Sequence, residues 1–568
     1  MRIKHGIIAC GLAFTLGFAA PAFAAEQAES PAPAVTCRNG SFTGVKLDNG
    51  VYAYLGIPFA KPPVGPLRWK APVDVEDCQG NFKAFHFGKR PMQLEVPGDE
   101  EPHGDSPLGE DCLCLNVWAA DPNIKGKPVM VYFHGGAYGF ESTSDPIYDL
   151  RYMAAENPDI VFVSAEYRVN AMGFIDLSRV PDGKVYKAAD FKDSGQLGIL
   201  DNVSALRWVN RNIEAFGGDK NNITVFGESA GGGISSLLMI AKQAKGLFHR
   251  AIPMSGAANL TYTREQFQGA DQAGCLMKAT GCKNMDDLMA LTEEQILEAF
   301  LKPSDHVGMV SGNFVGALNG MPLRGEGGIV PDDPMKAMEE GAGADIDMLI
   351  GTVSDEWRYW INWMLKPTVE EKMDAFAKIM EVFAPRFQIS SSMSSDATEP
   401  IDISKVVPTI QADEDEWSAK YPNLWKYTEI NNDKTFRVPA INQAEAHVKA
   451  GGKGKTYMYY FAKRSTVAPW VGACHSVELA YVFLNPYVSS ITGKVDMELA
   501  KKVSRIWTNF ARTGNPSIEG IAWPEYDLAK RATLVVGNDN SIKVVNDPRR
   551  EQREFVQKAL RDAQKPAK

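Results

Sequence analysis

Ile223-Thr224-Val225-Phe226-Gly227-Glu228-Ser229-Ala230-Gly231-Gly232-Gly233-Ile234 passes from an apolar β-type run to a helix-type run with no loop between them. Residues 223–226 (ITVF) read as a buried strand, and residues 232–240 read as the helix after it. The junction is G-x-S-x-G. A turn that sharp strains its central residue, and flanking glycines let neighbouring backbone approach closely. The serine side chain then projects from the sheet edge at a helix N-terminus. Taken alone, the motif equally fits a glycine-rich βα turn with an incidental serine.

Outward from this point the pattern repeats. Residues 128–133 (PVMVYF) and 160–165 (IVFVSA) are near-continuous apolar strands, as expected where helices cover both faces of a sheet. Residues 205–216 have helical spacing and stop at Gly217-Gly218; residues 348–351 (MLIG) read as a later short strand. A shorter β-like run at 51–55 precedes a proline-rich turn at 58–66. Alternating strands and helices predict an α/β protein with a large, mostly parallel sheet. Residues 366–435 are helical, carry a serine-rich patch at 390–395, and read as lid-type excursions over that sheet. No linker and no repeat divides the chain, so residues 25–568 are expected to form one domain.

The first 24 residues read as a signal peptide. Arg2 and Lys4 precede an apolar stretch at 7–19, and Ala22-Phe23-Ala24 is a small-x-small cleavage site. That stretch is too short to span a bilayer, and no other run is long enough. A periplasmic or secreted, soluble protein is expected. The chain has 568 residues, a net charge of -10 and no long Lys/Arg run, which argues against a nucleic-acid partner. Cys37, Cys78, Cys112, Cys114, Cys275, Cys282 and Cys474 follow the leader, an odd number in a compartment that permits disulfides. No CxxC pair or His/Cys cluster has zinc spacing, so no metal or cofactor is expected. The oligomeric state is not legible.

His134-Gly135-Gly136-Ala137 follows the 128–133 strand. Consecutive glycines there allow backbone N–H groups to converge on a developing oxyanion, and Gly135, Gly136 and Ala230 are the expected donors. The His134 side chain reads as structural. A serine nucleophile needs a base. The chain order serine, acid, histidine of α/β-hydrolases leaves His249, His306, His447 and His475. Only His447 and His475 leave room for an acid-bearing strand in between; the residues alone favour His475 without excluding His447.

Several spaced motifs carry a resemblance to the type-B carboxylesterases, the family of the cholinesterases and bacterial para-nitrobenzyl esterases. They include Gly56-Ile57-Pro58-Phe59-Ala60, Glu110-Asp111-Cys112-Leu113-Cys114-Leu115-Asn116, Phe133-His134-Gly135-Gly136 and Phe226-Gly227-Glu228-Ser229-Ala230-Gly231-Gly232. Phe510-Ala511-Arg512-Thr513-Gly514-Asn515-Pro516 closes the match late in the chain. The resemblance implies an α/β-hydrolase fold and a serine carboxylesterase that acts on a small-molecule ester through an acyl-enzyme. It places the acid at Glu356, with Asp355 as its competitor, and the base at His475. It also implies supporting roles for Glu228 and Ser255 and a structural ion pair between Arg68 and Glu110. A Cys275–Cys282 bridge is implied too. The family's usual partner for Cys112 is replaced by Met92, which leaves Cys37–Cys78 as a substitute pairing. The loop that carries a choline-binding tryptophan in cholinesterases corresponds to residues 94–109, which hold no aromatic residue. Acyl transfer to another alcohol is the alternative chemistry. A non-catalytic interaction protein is disfavoured because serine, acid and histidine all stand in register.

Overall fold

Successive residues of the central strands face opposite sides of the sheet, and both sides are dry. In the computed structural model, Val129, Val131 and Phe133 join one apolar cluster, while Met130 and Tyr132 join another. The first cluster is closed by Val203, Leu206 and Trp208 of the helix Leu197–Asn212. The second is closed by Val503, Ile506, Trp507 and Phe510 of the helix Met497–Thr513. Each such side chain stabilises the fold by about 1.5–3 kcal/mol when fully buried. An unbroken apolar run is what a strand with two buried faces requires, so the 128–133 and 160–165 runs lie at the centre.

The structure describes residues 31–93, 104–261, 272–301, 322–325, 328–365, 370–383, 416–486 and 491–563. Its strands are β1 (Pro31–Cys37), β2 (Gly40–Lys46), β3 (Tyr52–Pro58), β4 (Asn81–Lys83), β5 (Cys114–Ala119), β6 (Lys127–Phe133) and β7 (Val161–Ala165). They continue with β8 (Gly218–Glu228), β9 (Arg250–Met254), β10 (Asp347–Val353), β11 (Thr456–Phe461), β12 (Ala532–Val536) and β13 (Ile542–Asn546). The sheet order is β1-β2-β3-β5-β7-β6-β8-β9-β10-β11-β12-β13, with β4 beside β2. From β7 to β12 all neighbours are parallel, and the margins are antiparallel except that β4 runs parallel to β2. The expected α/β sheet is therefore present, with an antiparallel edge on both sides.

Register brings the carboxyl ends of the central strands to one level. Phe133 pairs with Gly227, Glu228 with Met254, and Met254 with Gly351. Chain leaving β6, β8, β9 and β10 thus emerges along one edge, where ligands of open α/β sheets bind.

Boundaries differ from the sequence reading where polarity hides a strand. β8 begins at Gly218, because Gly-Asp-Lys-Asn-Asn (218–222) extends it despite having no apolar residue. In the excursion region, helices Glu370–Phe383, Glu416–Lys420 and Pro422–Asn432 are seen, while the serine-rich patch lies outside the described residues. The expected signal peptide, residues 1–24, lies outside them too. No described helix is long and apolar enough to cross a membrane.

The cysteine expectations need correction. No disulfide joins the seven described cysteines, Cys275 and Cys282 included. Gly281, at φ 79°, turns the chain after the helix Gln272–Thr280, and the Cys282 N–H bonds back to Thr280 Oγ1. Cys37 and Cys78 are also thiols, the latter hydrogen-bonded to the Asn39 carbonyl at 2.9 Å. Cys112 is buried. Arg68 and Glu110 form the expected buried, two-pronged ion pair, with Arg68 Nε 2.8 Å from Glu110 Oε2.

Candidate active site

Ser229 sits between β8 and the helix Ala230–Ile240 at φ 56°, ψ −119°, a conformation that L-residues rarely adopt. From Ile223 to Ile240 every residue is buried except Ser229. The turn therefore lifts one side chain out of an otherwise dry strand–helix unit. Its N–H donates to the Met254 carbonyl at 2.9 Å, and its own carbonyl accepts the first helical bond, from Gly233. Glycine is obligatory beside it. A Cβ on Gly231 would lie 2.0 Å from the Phe133 carbonyl oxygen, and one on Gly227 would lie 2.4 Å from the Gly231 carbonyl carbon.

The loop after β6 passes beside this turn. The Tyr167 hydroxyl lies 2.9 Å from the His134 carbonyl and 3.0 Å from the Gly135 carbonyl. In a trans peptide the N–H points opposite to the C=O, so fixing these two carbonyls turns the Gly135 and Gly136 N–H groups the other way. Among the described residues those N–H groups and that of Ala230 have no acceptor. His134 is fully buried, stacked on Tyr167 at 4.2 Å, with Nε2 3.4 Å from Glu166, which is the structural part expected of it.

The chain leaving β10 brings Glu356 to His475. Glu356 Oε2 is 2.5 Å from His475 Nδ1, while Oε1 accepts from the Ser255 hydroxyl at 2.8 Å and the Val353 N–H at 3.1 Å. Asp355 does something else. Its carboxylate accepts from the Ala473 N–H at 2.9 Å and the Ser354 hydroxyl at 2.8 Å, and it faces Arg358 at 3.3 Å. It ties the acid loop to the histidine loop without touching the imidazole. The other histidines are occupied elsewhere. His447 holds Thr456 and the Gly343 carbonyl, and His249 Nδ1 accepts from the Ile223 N–H. His306 lies outside the described residues.

His475 Nε2 makes no hydrogen bond among the described residues and lies 3.2 Å from Glu228 Oε1. Burial, reinforced by the Glu356 and Glu141 charges, pushes the Glu228 carboxyl well above its usual range. Glu478, fully buried three residues past His475, is pushed the same way by burial and by Glu228 and Glu356. Two carboxyls whose ionisation burial disfavours thus stand near one orienting acid. Nothing in the sequence distinguished Glu478 except its position three residues after the histidine. Trp360 and Phe436 lie against the imidazole with centroids at 4.9 and 4.8 Å, and Tyr359 approaches edge-on at 5.9 Å. Trp357 packs on Trp360 behind them. Tyr167 and Phe436 were not singled out by sequence, because an aromatic in an apolar run reads as core. Among the described residues no cluster of His, Cys, Asp and Glu is arranged to hold a metal ion.

A serine on a strained strand-to-helix turn, a histidine hydrogen-bonded to a glutamate, and backbone N–H groups without a described acceptor stand along the carboxyl edge of a parallel sheet, the parts a serine hydrolase uses. Comparison with known proteins agrees. The model of the "Carboxylesterase family" matches residues 31–556. The para-nitrobenzyl esterase of Bacillus subtilis (strain 168) is 33% identical over 533 residues, covering 92% of this chain and 97% of its own. Mouse carboxylesterase 1D is 30% identical, covering 86% and 85%, and the Bungarus fasciatus acetylcholinesterase is 29% identical, covering 87% and 81%. Among solved structures, a PNB esterase superposes with a TM-score of 0.73 at 32% identity, over 92% of this chain and 99% of its own. A Geobacillus stearothermophilus carboxylesterase gives 0.71 at 29%, over 92% and 100%. The chain belongs to the carboxylesterase family. It has the α/β-hydrolase fold and is a carboxylic ester hydrolase of the serine type.

Proposed function

We propose that this enzyme cleaves its esters through an acyl-enzyme on Ser229, with His475 as base and acid, Glu356 as the anchor of the imidazole, and Gly135, Gly136 and Ala230 as oxyanion donors. The observation that carries the reading is Ser229 itself, strained and alone in reaching solvent between Ile223 and Ile240. As Ser229 Oγ attacks the ester carbonyl, its proton passes to His475 Nε2. Hydrogen bonds of this kind are often loose in the empty enzyme and tighten around substrate. Glu356, held by Ser255 and Val353, keeps Nδ1 protonated and stabilises the imidazolium. The three N–H groups meet the negative oxygen of the tetrahedral intermediate before it forms, each worth about 2.7–4 kcal/mol in sites of this type. The imidazolium then returns its proton to the departing alcohol. Water, deprotonated by the same nitrogen, attacks the acyl-serine and releases the acid.

The same reading makes residues 25–568 one catalytic domain behind an export signal, working in the periplasm or outside the cell on small-molecule esters. Ser229→Ala should abolish hydrolysis without unfolding the protein, and a phosphonylating inhibitor should add its mass to the Ser229 peptide. Substantial turnover by the clean variant, or labelling elsewhere, refutes the assignment. The mature N-terminus, read by mass spectrometry, should fall at or next to Ala25.

A further inference from the structure

The helices Pro422–Asn432 and Val438–Lys449 are one rod, joined by a five-residue π turn, Asp433–Arg437. π turns are rare in helices and concentrate at functional sites. Relative to an α register, the extra residue rotates everything beyond it by about 100°. Each half of this rod is fastened to a different part of the site. Before the turn, Asn432 Oδ1 accepts from the Trp357 N–H at 2.7 Å and its Nδ2 donates to the Ser354 carbonyl at 3.0 Å, which ties the rod to the Glu356 loop. Beyond it, Gln443 Oε1 accepts from the Ala258 N–H at 2.8 Å and Nε2 donates to Ser236 Oγ at 3.0 Å, which ties it to the helix that starts after Ser229. The turn absorbs the mismatch between these two anchorages. Inside it stands Phe436, buried, 4.8 Å from the His475 ring and stacked on Trp360 at 5.5 Å and 16°. Within the turn itself Asp433 and Arg437 form a buried ion pair at 3.2 Å, and Arg437 also donates to the Pro548 carbonyl.

We propose that Phe436 is a positioning residue for the His475 imidazole, and that the π turn is the device that delivers its ring there. Glu356 fixes one nitrogen of the imidazole but leaves the ring able to pivot about that contact. Phe436 and Trp360 close two sides, so that Nε2 is held at the Ser229 end of the site. The proposal rests on the Ser229–His475–Glu356 reading above.

The test uses the full-length enzyme with Phe436→Ala, Phe436→Leu and Phe436→Tyr. Two quantities are read: the rate of phosphonylation of Ser229 by a small neutral methylphosphonate, and kcat and KM for an aryl acetate, whose acyl group is too small to need a large pocket. Phe436→Ala should lose about ten- to a hundredfold in both phosphonylation rate and kcat, the scale expected for a misplaced reacting group, with KM within about twofold of wild type. Phe436→Leu should fall between, and Phe436→Tyr should restore most of the rate. A rise in KM with unchanged kcat and phosphonylation would make Phe436 a wall of the substrate pocket and overturn the proposal. Wild-type rates in folded Phe436→Ala and Phe436→Leu would also overturn it while leaving the triad intact. Labelling of the wild-type enzyme away from Ser229 would overturn both.

Discussion

Removing the negative charge of Glu356 should cost the enzyme about three decades of rate, while removing that of Asp355 should cost stability instead. The two carboxylates are adjacent in sequence and both are buried, but their contacts are disjoint. Glu356 lies 2.5 Å from His475 Nδ1 and has no exposed surface. When the imidazole takes the serine proton, the new positive charge is centred about 4 Å from that carboxylate, a pair worth about 4 kcal/mol at an effective dielectric near 20. Glu356→Gln removes this attraction only from the charged state. At about 1.4 kcal/mol per decade the loss is close to a thousandfold in kcat/KM. The amide still accepts from Ser255 and Val353, so unfolding should move little. Asp355→Asn takes the Asp355 carboxylate away from the Arg358 guanidinium, which is 2% exposed. Leaving one charge of a buried pair behind costs about 3 kcal/mol of stability, yet the rate should stay within tenfold of wild type. The assay is kcat/KM on an uncharged aryl ester alongside urea unfolding. An Asp355→Asn loss in rate larger than that of Glu356→Gln, or a Glu356→Gln enzyme within tenfold of wild type, would refute the assignment of the acid.

Gly231→Ala should destabilise the protein by on the order of 3 kcal/mol, read from the urea midpoint, because the new methyl meets the rigid Phe133 carbonyl at 2.0 Å. Tyr167→Phe should lower kcat roughly tenfold and stability by about 1–2 kcal/mol, since the two carbonyls that orient the Gly135 and Gly136 N–H groups lose their common donor; an unchanged kcat would show that the loop holds its shape alone. Glu228 and Glu478 have folded pKa values raised above the ordinary 4.5, so the folded state binds their protons more tightly than the unfolded one. Their contribution is full below that value and is lost as pH rises above it, so wild-type Tm should fall with rising pH more steeply than that of the Glu228→Gln/Glu478→Gln double variant. Acetylcholine should be a poorer substrate in kcat/KM than uncharged aryl acetates, because residues 94–109 offer no aromatic face for a quaternary ammonium.

What the sequence could disclose depended on how local the physics was. The Ser229 turn is visible because each part of it is forced within five residues: glycine where a Cβ has no room, a strand before and a helix after. Gly135 and Gly136 are visible for the same reason. His475 and Glu356 are not local. They stand 119 residues apart, and their 2.5 Å contact exists only because β10 and β11 pair in register. Without the family motifs His447 competed with His475, and within the family's acid loop Asp355 competed with Glu356. Only contacts separate them: His447 spends both ring nitrogens on Thr456 and Gly343, and Asp355 is consumed by Ala473 and Arg358. The disulfide expectation came from the family alone, and no local feature of this chain required it; the structure shows no bridge. Phe436 and Tyr167 mark the limit. Each looks like ordinary core when read along the chain, and each matters through what the fold places beside it. The π turn leaves still less trace, since an inserted residue shifts the phase of a helix without changing its composition. The proposed catalytic residues were therefore legible, whereas the side chains packed around them become visible only when rods and strands far apart in sequence are brought together.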